Sequence, residues 1–375
     1  MNHTRRHRSK RQAFSLLVWL ALPAAMALQA APVTAAESSP WQLSLRYDHH
    51  SDGLALDQMG TRDWAKSLRP RQGLNLSYVE DELRLDKQQG PWSLALLARS
   101  SASLVASPDA MELASLISRG EHPAGNTQWD NEVLLRGFNG VGLEVGRSHR
   151  LAARWSARWT AQGLLLTRWR ERQLNGPASY AADSGSYQFD LQSRELDNKR
   201  RFPFQQDFAA QGAGLLLGAE LGWQGEQAFA ALAVRDGGWL HWRDVPQQQM
   251  QLNSVTQAVD ADGFLIYRPL IQGQNSQQGR TRRQPWRTQI RTGWKLENQA
   301  QISASVEHLP DFGLLPALQW SQRDGELEWG LEWRFHERRA TLSMGWQNWR
   351  LRVGTDSLDS QARSRELGLT YLRQF

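Results

Sequence analysis

From Trp41 to the carboxyl terminus, apolar and polar residues alternate in segments separated by turn residues. Trp41, Leu43, Leu45 and Tyr47 alternate with Gln42, Ser44, Arg46 and Asp48. Leu151, Ala153, Trp155, Ala157, Trp159 and Ala161 alternate with Ala152, Arg154, Ser156, Arg158, Thr160 and Gln162. Ala213, Leu215, Leu217, Ala219, Leu221 and Trp223 oppose a face made largely of Gly212, Gly214, Gly218, Glu220 and Gly222, whose glycines leave room for a large neighbour or a plug. Trp286, Thr288, Ile290, Thr292, Trp294 and Leu296 oppose Arg287, Gln289, Arg291, Gly293 and Lys295, and Leu327, Trp329, Leu331, Trp333 and Phe335 oppose Glu328, Gly330, Glu332 and Arg334. Successive side chains of a strand point to opposite faces, so each segment predicts a strand with one apolar and one polar face.

A soluble β-sandwich alternates in the same way, and a secreted sandwich or adhesin stays as an alternative. Three features favour a membrane barrel. Several strands run to about ten to fifteen residues, against the five or six usual in soluble sheets. Tryptophans sit near strand ends on the apolar face (Trp41, Trp92, Trp223, Trp286, Trp294, Trp320, Trp329, Trp333, Trp346), where an indole meets the headgroup interface. Short turns at Lys87–Gly90, Arg147–Arg150, Gln224–Gln227 and Glu297–Gln299 alternate with long polar loops near 101–131, 167–210 and 243–285.

The fold class predicted is therefore all-β, a transmembrane antiparallel up-and-down barrel of about fourteen strands, with twelve and sixteen also open. The strands fall at 41–49, 73–86, 91–100, 133–146, 151–166, 211–223, 228–242, 286–296, 300–309, 314–323, 326–336, 340–346, 349–355 and 366–375. Because 340–346 and 349–355 are short, a second reading merges them and promotes Phe264–Ile271 to a strand. Tyr187, Phe189 and Leu191 read as a hairpin above the membrane, and Ala110–Ser118 as a short helix in the first long loop, folding towards the lumen. Residues 37–375 form one domain.

With those strands in place, the chain resembles the outer-membrane β-barrel proteins of Gram-negative bacteria. The end of the sequence carries the resemblance further: Phe375, Tyr371, Leu369 and Leu367 match the alternating, aromatic-terminated last strand of that class, while Arg373 departs from it. The resemblance implies an outer-membrane location, contact with outer-membrane lipid and lipopolysaccharide, and recognition by the barrel assembly machinery through the strand ending at Phe375. It names a class and no activity.

Composition then narrows the functions. Residues 1–36 join a basic stretch (Arg5, Arg6, Arg8, Lys10, Arg11), an apolar stretch from Phe14 to Leu28 and small residues up to Ala36, the pattern of a cleavable secretory signal peptide. Taking them away reduces the formal charge from +6 to +1, so the pI near 9.9 belongs mostly to the leader and nucleic acid is not an expected partner. The absence of cysteine removes thiol chemistry, disulfides and cysteine-based metal sites. A mean hydropathy of −0.59 fits alternating strands and excludes a bundle of membrane helices.

Two constellations carry candidate chemistry. Arginine dominates the polar face at Arg154, Arg158, Arg287, Arg291 and Arg334, joined by Lys295 and by Arg350 and Arg352, with Glu144, Glu220, Glu328 and Glu332 nearby. One reading is a lumen lined with positive charge, a passage for anionic solutes. The plainer one is an Arg–Glu network that braces a filled barrel and leaves a surface-binding role. Arg280, Arg282 and Arg283 in the outer loops are placed to meet lipopolysaccharide phosphates.

The second constellation is Tyr47-Asp48-His49-His50-Ser51-Asp52-Gly53. It is similar to the His-x-Ser stretch of outer-membrane phospholipase A and of the lipid A deacylases, and the resemblance implies a lipid ester hydrolase in which His49 activates Ser51, with Asp63 the nearby acid to orient the imidazole. Period two puts His49 and Ser51 on the lipid face. The bland reading is a Ser-Asp-Gly turn at the membrane interface. No cofactor or metal is expected; calcium enters under the lipase alternative alone, and Asp260, Asp262 and Gly263 read as a surface turn rather than a calcium loop.

Overall fold

The computed structural model describes residues 41–59, 61, 64–202, 211–255, 257–259, 265–267 and 269–373. The leader, Asp63, Asp260, Asp262, Gly263 and Phe375 lie outside the described residues. The elements run β1 (Trp41–Ser51), β2 (Asn75–Gln89), β3 (Trp92–Ala106), α1 (Pro108–Arg119), β4 (Thr127–Ala152), β5 (Trp155–Ala181), β6 (Ser186–Asp197), β7 (Gly212–Gln224) and β8 (Ala228–Asn253). They continue with β9 (Gln257–Val259), β10 (Leu265–Tyr267), β11 (Ile271–Gln284), β12 (Arg287–Lys295), β13 (Ala300–Leu309), β14 (Gly313–Asp324), β15 (Leu327–Arg334), β16 (Arg339–Trp346), β17 (Trp349–Thr355) and β18 (Ser364–Arg373).

Fourteen strands close into an antiparallel barrel in the order β1-β2-β3-β4-β5-β7-β8-β12-β13-β14-β15-β16-β17-β18. The circuit is sealed by pairing of the first and last strands, from Trp41 opposite Arg373 to His50 opposite Ser364. All fourteen segments marked by alternation are in this wall. The second reading is corrected: β16 and β17 are separate strands joined at Gln347-Asn348, where Gln347 takes φ 51°, and among the described residues Leu265–Tyr267 pairs with Gln257–Val259 in a separate two-stranded sheet.

The faces fall as period two requires. Leu331 is 50% exposed and Leu342 57%, whereas the side chains of Glu332 and Arg339 are 13% and 0% exposed. A belt of leucines between two tiers of exposed tryptophan is a surface that only a bilayer can cover, so the chain is a transmembrane barrel of the outer-membrane type. The tier at the chain termini and short turns includes Trp41, Trp92, Trp155, Trp294, Trp329 and Trp346; the opposite tier includes Trp239, Trp286, Trp333 and Phe335. In such barrels the rim with the short turns is periplasmic.

The long loops are corrected in large part to strand. β3 continues to Ala106, β4 begins at Thr127, β5 runs to Ala181, β8 to Asn253, and β11 fills 271–284. On one side of the barrel β4, β5 and β8 therefore rise past the membrane, and β6 fills the gap between the upper parts of β5 and β8. β6 contains Tyr187, Phe189 and Leu191, the hairpin read above the membrane. The opposite side is short, with strands of 7 to 12 residues from β13 to β18. At Asp236–Gly238 the tall strand β8 exchanges its neighbour β12 for β11; Asp236 takes φ 64° there, and the missing Cβ of Gly237 lets the Trp286 ring lie against the backbone.

Inside the tall wall, Leu97, Phe138, Leu164, Leu166, Trp169, Leu196, Leu216, Leu240, Trp242 and Val245 form a buried apolar cluster. The inward glycines of β7 accommodate it: a Cβ on Gly212 would lie 2.6 Å from Cε3 of Trp242, and one on Gly214 2.8 Å from Leu240. Helix α1 starts at Ser107, whose hydroxyl accepts from the Ala110 N–H at 3.2 Å, and ends at Gly120 with φ 66°. Its Leu113 joins Trp129, Ala178 and Tyr180 at the top of the β4–β5 hairpin.

Candidate functional site

The lower lumen holds a polar cavity of about 520 Å³, lined from β1, β2, β3, β4, β5, β7, β8, β12 and β18. Cationic and acidic side chains line it in equal number. Arg84 reaches Glu144 across the wall at 2.7 Å and Asp86 along its own strand at 2.6 Å, and Gln162 donates to the second oxygen of Glu144 at 2.7 Å. Higher up, Arg99 donates to both oxygens of Asp236 at 2.6 and 3.2 Å, Arg287 pairs with Glu80, and the Ser101 hydroxyl donates to Glu80 at 2.8 Å. Glu80 on β2 and Arg287 on β12 are six strands apart round the circuit, so this layer spans the lumen.

A second network braces the seam. Asp48 accepts from Arg339 at 2.7 Å and Arg46 at 3.0 Å, with Arg334 at 3.7 Å. Arg339 also holds Glu366 at 2.9 Å, Arg352 holds Glu366 at 3.0 Å and Glu332 at 3.3 Å, and Arg334 holds Glu332 at 3.0 Å. The Tyr78 hydroxyl lies 3.0 Å from Glu337 and 3.2 Å from Asp48. Each buried charge here has two or more partners, the condition under which a buried ion pair offsets its desolvation.

Of the residues read as lumen-lining, Arg158 and Arg287 line the cavity, Arg334 belongs to the seam network, and Arg291 donates to Gln319 on β14. Arg154 is in the periplasmic turn, paired with Glu226 at 3.2 Å, and Lys295 is exposed at the end of β12. Arg280 pairs with Glu171 at 3.2 Å and the Arg282 guanidinium lies over the Trp169 ring at 5.1 Å, so these two turn inward instead of meeting lipid phosphate. Sequence reasoning missed Arg84, Arg99, Asp236 and Arg339; Arg84 and Arg99 sit on the polar register of their strands and were readable that far.

Period two keeps His49 and Ser51 on one face of β1, but Ser51 is buried and each side chain has its own partner on β2. The His49 Nε2 lies 2.9 Å from Asp81, the ring stacks on Tyr47 at 3.8 Å between centroids, and Ser51 Oγ accepts from Ser77 at 2.9 Å. On the inward side of the same segment, His50 Nε2 and His336 Nε2 each lie 3.1 Å from Asp52, and Arg71 donates to Asp52 at 2.8 Å. A guanidinium on the carboxylate occupies the place a cation would take, so this cluster of His50, Asp52 and His336 is read as a brace between the top of β1 and the β15–β16 turn. Burial alone would raise the pKa of Asp52; hydrogen bonds from His336, His50 and the Leu76 N–H outweigh it and hold the carboxyl well below the usual carboxylate range.

No protein-family model and no curated protein matches the chain. Among solved structures, the chain is similar to the Pseudomonas putida toluene transporter TodX, with TM-score 0.43 and 8% identity over 91% of both chains. It is also similar to a TodX mutant described as a monoaromatic hydrocarbon channel, with TM-score 0.45 and 9% identity over 91% of both. The toluene transporter TbuX of Ralstonia pickettii gives 0.44 and 9% over 91% of this chain and 90% of its own. The assignment to the barrel class rests on the strand register itself.

Proposed function

We propose that the barrel is an outer-membrane passage protein for small solutes without net charge, with its lumen narrowed at the layer of Glu80, Arg99, Asp236 and Arg287. The observation that carries this reading is the charge balance of the cavity. Every arginine that lines it has a carboxylate within 4.0 Å: Arg46 has Asp48, Arg84 and Arg158 have Glu144, Arg99 has Asp236, Arg235 has Glu307 and Arg287 has Glu80. Selectivity by charge needs uncompensated rings of one sign, and compensated pairs give a polar path with little preference. A barrel of fourteen strands is also wider than the eight-stranded kind whose interior side chains fill it.

The test is flux. Purified barrel in liposomes should admit an uncharged pentose slowly, and the double substitution Arg99→Ser with Asp236→Ser, which removes a matched pair, should raise the swelling rate several-fold. Planar-bilayer recordings in a salt gradient should give a reversal potential near zero. Strong anion preference would restore the reading of an anion passage. Absence of flux in both proteins, with folding verified by heat-modifiable mobility, would leave a filled barrel.

A further inference from the structure

We propose that the raised wall carries a cleft for a neutral polyhydroxylated ligand, an oligosaccharide chain, outside the lumen. Across β5, β6, β8 and β11 the register sets Asn175, Gln192, Gln251 and Gln272 in one row. Two residues along each strand, Gln173, Arg194, Gln249 and Gln274 form the next. Directly opposed residues share a face, and so do residues two apart, so the eight side chains share one surface. They line a cleft of about 580 Å³. The same face runs down into Leu196 and Val245 of the apolar cluster, so it continues the inner wall above the membrane.

The seven amides are exposed, and among the described residues none of their side chains is hydrogen-bonded to protein. Nearby amides of β8 are engaged: Gln248, one residue from Gln249, donates to Asn275 at 3.1 Å, and Gln247, two residues from it on the same face, donates to the Gln278 carbonyl at 3.4 Å. Arg194 reaches Gln247 at 3.4 Å and leaves its buried Nε without a partner. The cleft thus gathers seven exposed amides that, among the described residues, no protein group engages.

A primary amide offers two donors and an acceptor in one plane, which matches vicinal hydroxyls that both donate and accept. Strands lie about 4.8 Å apart, close to the length of one sugar ring, so a row presents an amide to each successive unit. Arg194 is the one charged residue of the lining, and no carboxylate joins it. Such a lining offers a cationic ligand no counter-charge and an anionic one a single guanidinium, whereas its seven amides satisfy the hydroxyls of a neutral polyol.

The ligand chemistry has two sources, a free oligosaccharide or the polysaccharide of lipopolysaccharide. The experiment separates them by titrating detergent-solubilised full-length protein with maltohexaose, cellohexaose and branched dextran in one arm and with O-polysaccharide released from lipopolysaccharide in the other. Saturable binding of at least one probe is expected, unchanged by added salt. Gln192→Leu with Gln251→Leu should weaken it at least tenfold while heat-modifiable mobility stays intact. No saturable binding to any probe, binding indifferent to the double substitution, or binding that salt abolishes would each overturn the proposal. The readout needs no flux, so this inference and the passage reading fail separately.

Discussion

Arg339→Leu should weaken the barrel at its seam. The guanidinium is fully buried and bonds Asp48 on β1, Glu366 on β18 and the Ser364 hydroxyl at 2.7, 2.9 and 3.1 Å. Two charge-assisted bonds of about 1.5–3 kcal/mol each are lost. The damage is limited because Asp48 keeps Arg46 and Arg334, and Glu366 keeps Arg352 and Thr341. The net cost should be about 3–5 kcal/mol, the usual range for removing one partner of a buried pair. Urea unfolding in lipid vesicles, followed by tryptophan emission, should show a lower midpoint with the slope unchanged. Arg339→Lys should recover part of the loss, since an ammonium can hold one carboxylate but lacks the fork that holds two. A loss below about 1 kcal/mol, or a lysine variant as weak as the leucine one, would refute the idea that this guanidinium ties the seam.

Leu331→Arg, on the lipid face at mid-strand, should cost about 2–4 kcal/mol in the same vesicle assay or prevent assembly, whereas Leu331→Phe should be tolerated; equal tolerance would mean that this face does not meet hydrocarbon. Asp52, just past the end of β1, has a folded pKa lowered by its hydrogen bonds. Its contribution to stability is complete above the unfolded value of about 3.9 and is lost as pH falls from there through the lower folded value. Unfolding measured from about pH 6 down to about pH 2 should therefore lose stability more steeply in the native protein than in Asp52→Asn; parallel profiles would show that the carboxylate does not carry the brace.

The membrane part of the fold was legible because facing is a local property. Leu331 and Glu332 declare their sides by adjacency, and the fourteen strands follow. Above the bilayer both faces of a strand meet water, and the alternation disappears. Arg170-Glu171-Arg172-Gln173 and Gln272-Gly273-Gln274-Asn275 read as loop although both are strand, held by backbone pairing to β6 and β8. Partners across the lumen were illegible for a different reason. Glu80 and Arg287 are 207 residues apart, and which strands stand opposite depends on the closed circuit. The same holds for His49 and Ser51: period two puts them on one face, but their partners Asp81 and Ser77 come from β2, whose register against β1 is not contained in the sequence of β1.

The preference for arginine has its explanation in the same geometry. Beyond the leader the sequence has 35 arginines and four lysines. In the interior, single guanidinia hold two carboxylates at once: Arg84 takes Asp86 and Glu144, Arg339 takes Asp48 and Glu366, and Arg352 takes Glu366 and Glu332. A planar fork of five donors can bridge strands in this way, and an ammonium holds less well to two acceptors at once. Bracing and attraction therefore leave different marks. A lumen made to draw anions would present guanidinia to the cavity without carboxylates beside them. Here each arginine reaches the cavity already matched, which is why the expected change on removing Arg99 together with Asp236 is a wider path and not a change in the sign of the preferred ion.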